Sequence, residues 1–183
     1  MSLYTRGNKK SFVLYRMDKA VYDLHQTPPE CAKDLMAFVP LVAGDKVVEP
    51  FKGEGAFYNA LPNYVEKDWA ELEQGKDYKE LTAEYDWVIT NPPFRLDTGT
   101  KRVNSFWFLL DYYSQRARKG IAFLGNDSCF CTLTPKRQAI LKERGWRMTK
   151  VVVCSVKKWR GRYFFFILQK EGNGFMDFLP KNY

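Results

Sequence analysis

The sequence predicts an α/β protein with a mostly parallel central sheet, helices on both faces and an antiparallel element at its carboxyl end. Three observations carry this. Short apolar runs alternate with helix-forming stretches along the chain. Two of those runs, at residues 46–49 and 86–90, lead directly into turns marked by proline or glycine. Two β-rich runs, 149–156 and 163–169, then close the chain around a basic turn, which reads as a hairpin.

Residues 1–25 are polar and basic with scattered aromatics and read as an N-terminal arm ahead of one domain over 26–183. In Thr27-Pro28-Pro29-Glu30, Thr27 suits the N-cap, proline the first helical position and Glu30 the closing partner of a capping box. A helix of about three turns is expected there, burying Leu35, Met36, Phe38 and Val39 and stopping at Pro40. Residues 46–49 form a buried strand, 51–55 a glycine-bearing turn and 56–61 a helix. Further strands are expected at 69–72, 86–90 and 121–124, and further helices at 105–118 and 135–144.

At 183 residues, 45% of them hydrophobic, the chain suits a single domain, with 14 Phe, 11 Tyr and 5 Trp to fill its core. No apolar run approaches the ~20 residues of a membrane span and no leader pattern opens the chain, so a cytoplasmic location without a membrane partner is expected. Cys31, Cys129, Cys131 and Cys154 contain no CxxC pair and His25 is the single histidine, so reduced thiols and no metal site are expected. The net charge is +8, and the basic residues are grouped at 6–10, 116–119, 136–147 and 157–162. Any one group suits a solvated face, whereas their sum suits a polyanionic partner.

In an open α/β sheet, ligands sit beyond the carboxyl ends of the strands, so residues just after each strand are the informative ones. Gly53 and Gly55 follow the first strand and allow close approach of backbone to ligand, though a tight turn without a ligand needs the same glycines. Asn91-Pro92-Pro93-Phe94 is more specific. Its prolines fix the backbone and remove two donors, leaving carbonyl acceptors at a buried strand end. The Asn91 side-chain oxygen and the Pro92 carbonyl can together accept both protons of an amino group, with Phe94 as a face for a flat ring.

From Thr27-Pro28 through Glu49-Pro50-Phe51-Lys52-Gly53-Glu54-Gly55 and Asp77-Tyr78 to Asn91-Pro92-Pro93-Phe94, the order of motifs resembles the class I amino-methyltransferases, especially adenine-N6 enzymes. The likeness covers roughly residues 26–170 and implies a Rossmann-like class I methyltransferase fold with S-adenosyl-L-methionine as cofactor and S-adenosyl-L-homocysteine as product. By that resemblance Glu49, Phe51, Gly53 and Gly55 would hold the methionine end of the cofactor. Thr27 and Pro28 would pack nearby, Asp77 and Tyr78 would hold the adenine, and Glu71, with Glu66 as the alternative, would take the ribose. The catalytic tetrapeptide would be Asn91, Pro92, Pro93 and Phe94, with Asn91 also beside the cofactor. The stretch from either acid to Asp77 is shorter than the family's, so a helix usual there must be abbreviated or absent.

The expected reaction is methylation of adenine N6 in DNA or, nearly as well, RNA, the target base stacking on Phe94. Lys157, Lys158, Trp159 and Arg160 either clamp phosphates and stack a base or form a basic turn whose aromatics close the core. Lys101 and Arg102, after the tetrapeptide, would line the same path in a weakly ordered loop. No stretch is long enough for a separate target-recognition domain, so selectivity rests in loops or in a partner chain. Two alternatives are a protein glutamine N5-methyltransferase, whose substrate carries a similar NH2, and a catalytically silent module that binds cofactor or nucleic acid.

Overall fold

The computed structural model describes residues 26–97, 102–157, 159 and 161–174. The 1–25 arm, Lys101, Lys158 and Arg160 lie outside the described residues. Six strands form one sheet: β1 (Lys46–Glu49), β2 (Glu66–Trp69), β3 (Trp87–Thr90), β6 (Gly120–Asn126), β7 (Arg147–Cys154) and β8 (Tyr163–Gln169), in the order β2-β1-β3-β6-β8-β7. β2, β1, β3 and β6 run parallel, while β8 is antiparallel to both β6 and β7. A separate ribbon pairs β4 (Arg95–Asp97) with β5 (Arg102–Asn104).

Each central strand is buried on both faces, and alternate residues divide between two core layers. Val47, Trp87, Ile89, Ala122 and Phe165 face α1 (Pro29–Met36) and α2 (Ala56–Ala60). Val48, Val88, Ile121, Phe123 and Phe166 face α3 (Ser105–Ser114), α4 (Asp127–Thr132) and α5 (Pro135–Glu143). Trp87 is opposite Gly120 across the β3–β6 register, and a Cβ at 120 would overlap its ring. Gly120→Ala is therefore expected to destabilise the fold by about 2–3 kcal/mol, read from the shift of the urea midpoint.

Several expected boundaries move. Thr27 is not an N-cap: Pro28 holds that position with no side-chain cap, and the helix has eight residues and ends at Met36. The second strand is 66–69 rather than 69–72, because its register is set by backbone pairing with β1, from Lys46↔Glu66 to Glu49↔Trp69. The 105–118 helix stops at Ser114, whose hydroxyl donates to the Asp111 carbonyl at 2.9 Å. Between β2 and β3 the chain makes only two 3-10 turns, Leu72–Gln74 and Tyr78–Glu80, which fits the abbreviated link expected there. No helix among the described residues is long and apolar enough to cross a membrane.

The parallel topology gathers the turns after β1, β2, β3 and β6 along one edge of the sheet. Because β8 is antiparallel, its start at Tyr163, paired with Asn126, brings residues 161–162 to that edge as well. The opposite edge is structural. Asp86 accepts from the Lys46 amide at 3.0 Å and pairs with Arg118 at 3.2 Å, and Lys119 pairs with Asp45 at 2.6 Å.

Candidate active site

At the end of β1, Glu49 is 3% exposed, and its Oε2 accepts from the Tyr58 amide at 2.7 Å, satisfying one of the orphan donors of α2. Burial pushes its carboxyl up to about 8, against the Tyr58 hydrogen bond and the charge of Lys52, and the nearby Glu71 adds to the rise. No described cation lies within ion-pair distance of it. Asp86 behaves in the opposite way: burial raises it, but the Lys46 amide, Arg118 and Lys119 outweigh burial and hold it low. Asp86 thus has matched partners at one edge of the sheet, whereas Glu49 at the other has no ion-pair partner among the described residues.

The glycine turn is tied down from two sides. Glu71 lies just past β2, and its carboxylate accepts from the Gly53 amide at 2.6 Å and the Glu73 amide at 3.2 Å. The Lys52 amide donates to the Ala70 carbonyl at 3.0 Å, and its Nζ lies 3.9 Å from the centre of the Trp69 ring. Gly53 and Gly55 have φ of 52° and 84°, so both positions favour glycine, and a Cβ on Gly53 would meet Gln26 Oε1 at 2.7 Å. Glu66 stands at the start of β2, beside Lys46 at 3.8 Å and remote from this turn.

Asp77 caps the second 3-10 turn through a capping box, its Oδ1 accepting from the Lys79 amide at 2.9 Å. Tyr78 is buried, 5.1 Å from Phe51 and 5.9 Å from Tyr112 between ring centres, so Phe51, Asp77 and Tyr78 form one aromatic-walled corner beside the turn.

Asn91 follows β3 directly, and its Nδ2 donates to Thr27 Oγ1 at 3.2 Å. Thr27 is 8% exposed. The hydroxyl expected to cap α1 thus accepts from the Asn91 amide instead. Ser105 takes the later carbonyls of the tetrapeptide: its Oγ donates to the Pro93 carbonyl and its amide to the Phe94 carbonyl at 3.2 Å. Among the described residues no donor reaches the Pro92 carbonyl. Phe94 is half-buried and packs against the α1-side core. A cavity of about 10 Å³ lies between Pro92, Phe94, Ser105 and Leu124. It holds about one water, so a base needs this corner to open.

The basic turn divides between its two readings. Trp159 is 8% exposed and packs in a tilted arrangement against Tyr163, with ring centres 4.4 Å apart, so this aromatic closes the core. Lys157 and Arg162 are exposed at the site edge, as is Arg95 on the ribbon. Sequence reasoning did not find Ser105, Gln26, α4 or the β4–β5 ribbon. A Ser behind an Asn N-cap reads only as a helix start, and Arg95–Asp97 is too short and polar to stand out as a strand. Among the described residues no group of three His, Cys, Asp or Glu is placed to hold a metal ion.

The fold is similar to that of solved methyltransferase structures. A modification subunit assigned to a type I restriction enzyme from Vibrio vulnificus aligns with a TM-score of 0.58 at 13% identity over 90% of this chain and 49% of that one. A protein described as an RNA methyltransferase from Pyrococcus horikoshii gives 0.55 at 17% identity over 79% and 86%. The chain has the class I methyltransferase fold. Magnesium protoporphyrin IX methyltransferase from Synechocystis, solved with bound S-adenosylmethionine, shares the fold with a TM-score of 0.53 at 11% identity over 93% and 87%. The chain spans about half the length of the modification subunit. Comparison by sequence finds no matching family model and no matching curated protein.

Proposed function

We propose that this methyltransferase fold binds S-adenosylmethionine along the carboxyl edge of β1, β2 and β3 and methylates the exocyclic N6 amine of adenine in nucleic acid, with DNA favoured and RNA close behind. The observation that carries the reading is the end of β3. There the Asn91 amide is oriented by Thr27, and the Pro92 carbonyl has no donor among the described residues. The residues along the edge fit the cofactor's groups. Glu49, buried with no described cation to pair with it, suits the ammonium of the methionine end. Glu71 retains acceptor capacity beyond its two backbone bonds and suits ribose hydroxyls. Asp77 with Phe51 and Tyr78 forms a corner suited to a purine.

When bound, the cofactor supplies a sulfonium methyl group, an electrophile that needs no metal. Asn91 Oδ1 and the Pro92 carbonyl would accept the two N–H groups of the target amine. That grip favours the pyramidal nitrogen, whose lone pair is no longer shared with the ring. Positioning and electrostatics then carry the rate, and no general base has to act before the methyl moves. Phe94 would stack the base once the 10 Å³ corner widens, and the unstacking of a duplex adds a few kcal/mol that a single strand largely avoids. The restriction-enzyme modification subunit and the protein described as an RNA methyltransferase support a nucleic-acid target of either kind.

The test is methyl incorporation from labelled cofactor into matched DNA and RNA oligonucleotides, with a glutamine-containing peptide library alongside. Label on adenine N6 is the expected result, and label confined to cytosine or to glutamine refutes the assignment. Converting Arg95, Lys157 and Arg162 together to Gln is expected to lower the slope of log affinity against log salt by about 2–3 units for a DNA oligonucleotide. An unchanged slope moves the phosphate contacts elsewhere.

A further inference from the structure

Cys31 lies on α1, four residues beyond Thr27, and Cys154 is the last residue of β7, the outer strand of the sheet. Both are half-buried and both line a groove of about 440 Å³ between α1 and β7. Both also pack against the same core cluster, and each thiol shifts the other's titration, lowering that of Cys31 and raising that of Cys154. The other two cysteines contrast with them. Cys129 is 4% exposed in the core, where burial pushes its thiol up to about 11. Cys131 is exposed on the same helix, two residues further on, so its side chain diverges from that of Cys129.

We propose that Cys31 and Cys154 form a two-thiol oxidation site that a hydroperoxide converts into an intrachain disulfide. The site is independent of the methyl-transfer reading. The two thiols share one groove, and Cys31, whose thiol pKa its neighbour Cys154 lowers, carries the better nucleophile of the two. The Cys31 sulfur attacks one peroxide oxygen and the O–O bond breaks. The other oxygen leaves as water once protonated, and Cys31 becomes a sulfenic acid. The Cys154 sulfur then attacks the Cys31 sulfur, and the hydroxyl departs with the Cys154 proton as a second water. In sum, two thiols and one hydrogen peroxide yield one disulfide and two waters. The groove supplies access for the oxidant, since β7 has no further strand beside it. The new bond would staple α1, the element that follows Thr27, to the strand that leads into the basic 155–162 turn.

The test exposes the full chain to a small excess of hydrogen peroxide, alkylates remaining thiols in denaturant and maps the peptides. The expected product is a Cys31–Cys154 linked peptide with Cys129 and Cys131 still alkylated, and an intact mass lower by about 2 Da for the two hydrogens lost. The long closed loop is expected to raise the melting temperature by about 5–10 °C, and dithiothreitol to reverse both changes. In Cys31→Ser, Cys154 stays alkylatable and the thermal shift disappears. The proposal is overturned if Cys131 oxidises while Cys31 and Cys154 remain free, if crosslinks form only between chains, or if the same pairing arises equally in denaturant. The wild-type map decides the matter even if the serine variant folds poorly.

Discussion

Asn91→Ala is expected to lower the single-turnover rate of methyl transfer by about 100- to 1,000-fold while cofactor affinity stays within about threefold. The reasoning starts from what the side chain does at the end of β3. Its Nδ2 is held by Thr27 Oγ1 at 3.2 Å, so its oxygen has one orientation before any substrate arrives. An acceptor fixed in advance strengthens as the amine pyramidalises and gains positive charge, so it acts on the transition state more than on ground-state binding. Removing it leaves the Pro92 carbonyl as a lone acceptor for a group with two N–H bonds. Thr27→Val keeps the shape but removes the acceptor for Nδ2, and its expected loss is smaller, about tenfold, with Thr27→Ser restoring the rate. Rapid-quench measurement of product, together with calorimetric titration of cofactor, separates the two quantities. Equal losses in both would make Asn91 a cofactor contact instead.

Glu49→Gln carries the second large effect, and it falls on the cofactor. Loss of the carboxylate is expected to weaken cofactor binding by about 10- to 100-fold, the worth of a charge-assisted hydrogen bond. Its pH dependence has a definite sign. In the folded chain the carboxyl titrates at about 8, against an ordinary value near 4.5. Below about 8 the empty site holds a protonated acid, so binding an ammonium first costs the release of that proton. Affinity therefore rises with pH from about 6 to about 8 in the wild type and is flat over that range in Glu49→Gln. The same shift acts on stability. Because the folded state holds its proton more tightly than the unfolded chain, the contribution of Glu49 is fully present below about 4.5 and is lost as pH rises through about 8. Cofactor-free Glu49→Gln is expected to be more stable than wild type at pH about 9, by roughly 1–3 kcal/mol in urea unfolding.

What could be read from the sequence follows from how local its cause is. Asn91-Pro92-Pro93-Phe94 was legible because prolines dictate backbone wherever they stand, and Val47 and Val48, buried on opposite faces, mark a central strand through their β-branching alone. The second strand was displaced by three residues because Glu66, Lys67 and Asp68 sit at the edge of the sheet, where one side meets solvent and the apolar signal vanishes. Its hydrogen bonds to β1 decide its position, and they are not written in its own residues. Thr27 shows tertiary context overriding a local rule: a good N-cap residue is turned instead toward Asn91, 64 positions away in sequence. Ser105 was invisible for the same reason, since its role at the Pro93 and Phe94 carbonyls exists only after α3 docks beside the end of β3. Glu71 was within reach because an acid just past a strand end has a positional meaning in any open α/β sheet, whatever the strand's exact limits.

The central claim is that the end of β3 receives an amino group between two oxygens, and a crystal structure tests it most directly. The chain would be crystallised with a non-reactive cofactor analogue and a short adenine-containing oligonucleotide. The account predicts the target N6 within about 3 Å of both Asn91 Oδ1 and the Pro92 carbonyl, on a line with the analogue's methyl position. A base bound with its amine away from both oxygens, or an analogue seated away from Glu49 and the glycine turn, contradicts it.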